Sequence, residues 1–295
     1  MNILILGSSG NIGQVLTNSL KDLKYNVYGI SRTSGDIKID LLNLKDEDIS
    51  EILERYKINV IINAAGVIST TTLEDYMLNS IILLKFINNK IGKKLKYIVI
   101  GSAAEYGVSE DNILSPEVTS PNPHSIYGYS KLSQTAICEY YKRNFNIDIL
   151  VFRLFNIIAP NLPERSFIGS LIKAIEVGSK GSITINNSKI VRDFLDLRDF
   201  NNLVINAINK PVISQAVFNA GSGYNLTYGE VIEEAFKLLE NNGLSKPKFI
   251  DLNKAEVFSS SICNISDTME KFDWKPVFKL SSSLDWCLKT RKVYI

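Results

Sequence analysis

The chain has 295 residues, 33 basic and 31 acidic, and a net charge of +2. That length suits one large α/β domain, or one domain with a smaller lobe, and 45% hydrophobic residues can fill a substantial core. The balanced charge, with no long basic block, gives no reason to expect a nucleic-acid partner.

The opening "MNILILG" is too short for a signal-peptide core and lacks the basic flank and cleavage site. It reads as a buried first strand. No run approaches the ~20 apolar residues of a membrane span, so a soluble, cytoplasmic protein is expected, with no membrane partner. The helix "NIGQVLTNSLKDL" follows, with Ile12, Val15, Leu16 and Leu20 on one face. "YNVYGISR" is a second strand. "DEDISEILERYK" is a helix with acids in its first turn, where they suit the dipole. "INVIINAAG" is a nearly all-apolar strand, as expected when both sheet faces are covered. One helix is predicted over "MLNSIILLKFINNKI", a strand over "KYIVIGS", a long helix over "YGYSKLSQTAICEYYKRNF", and one strand over "IDILVFRLFNII". The alternation implies an α/β fold of Rossmann type, a doubly wound parallel sheet.

After about residue 156 the rhythm changes. A helix follows two prolines in "APNLPERSFIGSLIKAIEVG", and "SITIN" is a short strand. "RDFLDLRDFNNLVINAIN" leads into a helix, "AVFNAGSG" is another parallel strand, and "TYGEVIEEAFKLLENNG" a helix. The tail is mixed. These later segments are expected to form a smaller α/β lobe around the last strands of the main sheet.

The first chemical motif is Gly7, Gly10 and Gly13 in "GSSGNIG", G-x-x-G-x-x-G between a strand and a helix. Gly7 serves the tight turn. Gly10 lets backbone approach a pyrophosphate, Gly13 lets the helix pack on the strand, and the helix N-terminus faces the phosphates. A tight turn without ligand is the competing reading, and the position and context both favour a dinucleotide. An acid ending the second strand would bond the adenosine ribose and favour NAD. Here "GISRTSG" offers Arg32 instead, a planar cation suited to a 2′-phosphate, so NADP(H) is favoured, with NAD(H) the alternative. A solvated loop residue is the competing reading of Arg32. Further on, Asp40 and Leu41 end a short apolar stretch and are placed to reach the adenine amine.

Tyr127 and Lys131 lie four residues apart, on one helix face. Free tyrosine has a pKa of about 10, and a nearby ammonium stabilises the phenolate. Bringing it near neutrality needs ~3 pKa units, or ~4 kcal/mol, from that cation and a nicotinamide charge. Tyr127 would then be a usable acid and base. A lone Y-x-x-x-K is weak. Here it follows a strand ending in Ser102 and lies downstream of a dinucleotide loop.

Together these stretches, with "NAAG" (63–66), "GSAAEYG" (101–107), "PNPHSIYGYSK", "RLFN" (153–156), "RDFLDLRD" (192–199) and "FNAGSGYNLTYGE" (218–230), resemble an extended short-chain dehydrogenase/reductase. The likeness is to the NAD(P)-dependent nucleotide-sugar epimerase/dehydratase/reductase group, including CDP-abequose synthase and dTDP-4-keto-6-deoxy-sugar reductases. It covers nearly the whole chain. It implies a dinucleotide-binding domain over residues 1–156, completed by about 194–222, and a nucleotide-sugar lobe over 157–193 and 223–295. It implies that Gly7, Gly10 and Gly13 shape the phosphate loop, with contacts from Ser9, Asn11 and Ile12. Ala64, Ala65 and Gly66 line the cofactor's ribose side, and Asn79 supports them from its helix. By the same likeness Ser102 bonds the substrate oxygen, Tyr127 moves the proton, and Lys131 holds the nicotinamide ribose and lowers the tyrosine pKa. Asn156 and Arg192 match residues that meet the nucleotide sugar.

The departures from the pattern narrow the reaction. The dehydratase branch has an Asp-Glu pair after the Ser/Thr, where this chain has Ala103 and Ala104. The branch with a cysteine for epimerisation beside a ketone matches that thiol to Ala104. Hydride transfer at a carbon bearing oxygen remains. Glu105 is one place further on and is expected to contact substrate hydroxyls or solvent. The expected reaction is NADPH-dependent reduction of a nucleotide-linked 4-keto-6-deoxy-hexose in surface-polysaccharide synthesis, to which Arg32 and the short lobe tilt. The alternatives are a UDP-hexose 4-epimerase with retained NAD and a non-catalytic dinucleotide sensor. The C-terminal stretch 253–276 lacks the arginine many members set against the diphosphate, which leaves Arg165 or Arg192 for that work. The resemblance suggests a homodimer through helices that include the tyrosine helix.

The remaining candidates read as structural. His124 is the only histidine and sits in a turn, and no metal is expected. Cys138, Cys263 and Cys287 are widely spaced and read as reduced thiols. Trp274, Trp286 and the Tyr140–Tyr141 pair read as packing and surface residues.

Overall fold

The computed structural model describes residues 1–68, 71–88, 94–107, 113–116, 118–254 and 262–294. The first half alternates as the apolar pattern requires. β1 (Asn2–Leu6) leads to α1 (Asn11–Asp22), then β2 (Asn26–Ser31), the short β3 (Ile37–Lys38) and α2 (Asp46–Arg55). β4 (Val60–Asn63) is followed by α3 (Leu73–Ser80) and α4 (Ile82–Asn88). The single helix predicted over 77–91 is therefore two. Thr72 caps α3 by accepting the Asp75 amide, so it starts earlier than predicted, and the chain breaks at Ile81. Residues 89–91 of that prediction lie outside the described residues. β5 (Lys96–Ser102), β6 (Ile113–Leu114) and the 20-residue α5 (Ile126–Phe145) come next. Ser125 caps α5, and Asn146 closes it in the left-handed conformation.

The strand predicted over 147–158 is also two, β7 (Asp148–Leu154) and β8 (Asn156–Ile158). β8 leaves the main sheet at Phe155 and pairs elsewhere. The chain continues through α6 (Phe167–Val177), β9 (Ser182–Ile185), β10 (Val191–Arg192), β11 (Phe194–Asp196), α7 (Leu197–Asn209) and β12 (Val217–Ala220). β13 (Leu226–Thr227), α8 (Tyr228–Asn241), β14 (Lys248–Asp251), β15 (Ile262–Cys263), α9 (Ser266–Phe272) and α10 (Leu280–Thr290) complete it.

Seven strands form one parallel sheet in the order β12-β7-β5-β4-β1-β2-β3. Alternate strand residues fill two different cores. Ile3, Ile5, Val60, Ile62, Ile98 and Ile100 face the α1 and α7 side. Leu4, Leu6, Ile61, Tyr97 and Val99 face the α2 and α4 side. Both sheet faces are covered, which is why these strands read as continuous apolar runs. A third core joins α6, α8 and α10 with β9 and β11. Order reverses between β1 and β4, so the crevice at their C-terminal ends is the switch point where such sheets take ligands.

Candidate active site

Two loops meet at that crevice. Gly7 has φ +78°, and a Cβ there would lie 2.7 Å from the Ala65 Cα, so the loops after β1 and β4 touch backbone to backbone. A Cβ on Gly13 would lie 2.2 Å from the Gly7 carbonyl oxygen. The N-cap of α1 is Gly10, with no side chain on its first amides. Ser9, Asn11 and Ile12 are half-buried around it. Beneath them the Ser8 hydroxyl and the Asn63 side-chain amide nitrogen are buried with no hydrogen-bond partner among the described residues. A bare-backbone cradle at an uncapped helix N-terminus suits a pyrophosphate, so these residues fit a dinucleotide.

In the loop after β4 Ala65 is buried and Gly66 exposed. A Cβ on Gly66 would stand 2.8 Å from Asn79 Oδ1 and 3.4 Å from Lys131 Nζ. Asn79, wholly buried on α3, accepts the Val67 amide and donates to the Val67 carbonyl, both at 2.8 Å. It therefore fixes the loop that carries Ala64 and Gly66 beside Lys131.

At the far side of the crevice's sheet edge, Arg32 is exposed just past β2. The structure corrects the reading that no acid stands there. The loop after β2 folds back, Ser31 and Ser34 bond each other, and Asp36 Oδ2 accepts the Gly29 amide at 2.8 Å. The chain thus brings an acid to the β2 edge from five residues beyond its end. Asp40 accepts the Leu42 amide at 3.0 Å and caps a short turn, while the Leu41 side chain is buried in the core. One Asp40 oxygen is thus engaged by the turn and the Leu41 side chain by the core.

Ser102 ends β5, and its hydroxyl accepts the Ala104 amide at 3.1 Å. Tyr127 lies in the first turn of α5, with its phenol close enough to the Ser102 hydroxyl to be influenced by it. Lys131, one turn on, is buried and donates to the Ile100 carbonyl at 3.0 Å and toward Gln134 Oε1 at 3.4 Å. Burial pulls its ammonium down to about 8, against the pull of the Glu105 carboxylate. Tyr127 moves opposite to expectation. Burial raises it and the Glu105 charge adds to that, while the neighbouring Ser102 hydroxyl only partly offsets them. The resting group is the phenol. The structure brings the serine, tyrosine and lysine together, with the phenol ready to donate.

Glu105 is not at the substrate surface. Its side chain is fully buried below Ser102 and paired with Arg153 at 2.8 Å. Burial pushes the carboxyl upward, and Arg153, the Ser102 amide and Thr135 pull it back. In sequence the glutamate reads as a loop acid. Its partner Arg153, the arginine of "RLFN" inside an apolar strand, was the available signal.

Asn156 is exposed at the start of β8 and donates to the Asp193 carbonyl at 3.1 Å. Arg165 and Arg192 line one cavity of about 350 Å³ with Phe167, Asn186 and Tyr228. Phe167 and Tyr228 stack at 4.0 Å between ring centres, within 8° of parallel. Ser102, Tyr127 and Lys131 are not among the residues lining that cavity. The two arginines named as alternatives for the diphosphate thus line one cavity, and the aromatic pair beside them was not foreseen. His124 Nδ1 lies 2.7 Å from the Asn122 carbonyl, within the turn. The three cysteines are free and buried. Among the described residues no group of three or more His, Cys, Asp or Glu could hold a metal, and no helix is long and apolar enough to cross a membrane.

Residues 3–221 match the profile of the NAD dependent epimerase/dehydratase family. A dTDP-6-deoxy-L-talose 4-dehydrogenase (NAD(P)(+)) of Kitasatospora kifunensis is 24% identical over 256 residues, 82% of this chain and 79% of that protein. Among solved structures, the UDP-glucuronic acid 4-epimerase of Bacillus cereus, in complex with UDP-glucuronic acid and NAD, superposes with a TM-score of 0.82 at 24% identity, covering 98% of this chain and 100% of that one. RMD from Pseudomonas aeruginosa, complexed with NADPH, superposes with a TM-score of 0.82 at 20% identity, covering 98% of this chain and 97% of that one.

Proposed function

Because the chain belongs to the NAD dependent epimerase/dehydratase family, we propose that it exchanges hydride at C4 of a hexose carried on a nucleoside diphosphate. The observation that carries this reading is the meeting of Ser102, at the C-terminal end of β5, with Tyr127 and Lys131 on successive turns of α5, where Gly128 packs against the Ala104 backbone and alanines stand at 103 and 104. Hydride exchange is the chemistry a nicotinamide dinucleotide supplies when bound. Ser102 holds the C4 oxygen. Tyr127 gives that oxygen a proton, or takes one from it. Lys131, beside Gly66, would hold the ribose hydroxyls. With no acid at 103 or 104, the site has no base for removing a proton from C5, so dehydration is not part of the reading.

Two outcomes share these steps. Four-epimerisation, in which C4 is oxidised and re-reduced on its other face, stands first, since a 4-epimerase is among the proteins with this fold. Net reduction of a 4-keto sugar is the second reading. It is favoured by Arg32 and by the talose 4-dehydrogenase relative. The cofactor follows the same divide, with Asp36 favouring NAD and Arg32 favouring NADP. We take the Arg165 and Arg192 cavity, with its stacked Phe167 and Tyr228, as the nucleotide end of the substrate site, and Asn156 as a contact nearer the sugar. Residues 1–156 with about 194–222 would form the dinucleotide domain. The packed α3 and α5, joined by Tyr76 and Ser133 at 2.8 Å, expose Leu73 and Tyr129 and would form a homodimer face.

The test is product analysis. Incubation with UDP-glucose or UDP-glucuronic acid and NAD⁺ should give the C4 epimer without net cofactor reduction. Stoichiometric loss of NADPH on a dTDP-4-keto-6-deoxy sugar, with no epimer formed from either UDP sugar, selects the second reading. Formation of a dehydrated sugar sinks both.

A further inference from the structure

Directly under the reactive edge lies a carboxylate that the proposed reaction does not use. Glu105 reaches two catalytic elements at once. Its Oε1 accepts the Ser102 amide at 2.9 Å. Its Oε2 accepts the Thr135 hydroxyl at 2.9 Å and Arg153 Nε at 2.8 Å. Ser102 ends β5, and Thr135 sits on α5 one turn beyond Lys131. The pocket is shaped for this group, since a Cβ on Gly101 would lie 2.8 Å from Glu105 Oε1. Arg153 is itself held over the Tyr106 ring, 4.6 Å from its centre, and Tyr106 donates to Asn219 of β12 at 2.7 Å.

A buried ion pair is poor evidence of stabilisation, because well-packed apolar residues do as well. The placement of this one is informative. The backbone that carries Ser102 and the helix face that carries Lys131 are tied to the same carboxylate. Glu105 also counters the burial that drives Lys131 toward its neutral form.

We propose that Glu105 and Thr135 are positioning residues that clamp the Ser102 end of β5 to the Lys131 turn of α5. They set the serine hydroxyl, the phenol and the ammonium against one another. Neither touches the sugar or the dinucleotide. The inference rests on the reading of Ser102, Tyr127 and Lys131 as the reacting groups.

Thr135→Val keeps the side-chain shape, the Ser102 bond and the Glu105–Arg153 pair, and cuts only the tie to α5. Wild type, Thr135→Val, Thr135→Ser and Tyr127→Phe are assayed on UDP-glucose, UDP-glucuronic acid and a dTDP-4-keto-6-deoxy sugar, with NAD⁺ and NADPH. The clamp predicts that Thr135→Val lowers kcat about 10-fold with KM nearly unchanged, and that Thr135→Ser restores it. An unchanged kcat in folded Thr135→Val, or an equal loss in Thr135→Ser, overturns it. Glu105→Val combined with Arg153→Met removes the clamp and the ion pair together, while taking from Lys131 its countering carboxylate and from Ser102 and Thr135 their acceptor. That double variant should fold with a lower melting temperature than the wild type and turn over about 100-fold more slowly. Wild-type turnover from it also overturns the clamp. If the wild type converts none of the probes any better than Tyr127→Phe, the reading of the site fails, and the clamp with it.

Discussion

Gly128, the residue after the tyrosine, rests on the backbone of Ala104, two residues after the serine. A Cβ on Gly128 would lie 2.5 Å from the Ala104 carbonyl oxygen and 2.9 Å from Pro123 Cβ. The separation of Tyr127 from Ser102 is thus set by backbone contact. Gly128→Ala must push α5 away from the turn after β5. We predict a kcat loss of about 10- to 100-fold, with a smaller loss of dinucleotide affinity, because α5 carries Lys131 while the phosphate cradle lies across the crevice. Steady-state kinetics and the fluorescence of bound NADPH measure the two separately.

Tyr127→Phe keeps the ring and removes the proton. Turnover should fall about 100- to 10,000-fold, the usual contribution of a general acid or base. The melting temperature should change little, because the ring and its packing are kept. Retained turnover would remove the tyrosine from the proton path.

Lys131 gives the pH dependence its sign. Burial pulls it down to about 8, so above that pH the free protein loses the cation beside Gly66. The alkaline limb of kcat/KM should fall near pH 8. The stability effect runs the other way. Between about 8 and the ordinary 10.5 the unfolded chain binds the proton that the folded chain has lost, so this group's penalty is relieved as pH rises through that window. Lys131→Met should abolish both the limb and the stability slope, as read by pH-rate profiles and thermal melts.

Gly13→Ala places a methyl 2.2 Å from the Gly7 carbonyl oxygen. The α1 N-terminus must then retreat from the cradle. Dinucleotide affinity should weaken at least about 10-fold, since phosphate binding depends on close backbone approach. Fluorescence titration with NADH and NADPH checks this. The same titration tests the adenosine end. Arg32→Ala should weaken NADPH more than NADH, and Asp36→Asn should do the reverse. Equal effects on both cofactors would remove each residue from the choice.

Much of this was legible because local rules and the global fold agree. The continuous apolar runs of "NILIL" and "KYIVI" give strands buried on both faces, and the spacing of Gly7, Gly10 and Gly13 gives the turn and the cradle. Tyr127 and Lys131 were readable because a helix fixes what four residues apart means. What was missed depends on contacts distant in sequence. Glu105 sits 48 residues from its partner Arg153 and 30 from Thr135, so its burial could not be seen from its own loop. Asp36 reaches the β2 edge only because the loop folds back onto Gly29. The break at Ile81 and the departure of β8 after Phe155 follow capping and pairing that the apolar pattern alone does not encode.

The central claim is that Ser102, Tyr127 and Lys131 act on hydride exchange at sugar C4. Its most direct test follows UDP-glucuronic acid, UDP-glucose and a dTDP-4-keto-6-deoxy sugar by proton NMR, with NAD⁺ or NADPH and alongside Tyr127→Phe. The account predicts a change confined to C4, as inversion or as reduction of the ketone, that disappears in Tyr127→Phe. A product altered at C5 or C6, or equal conversion by Tyr127→Phe, would contradict it.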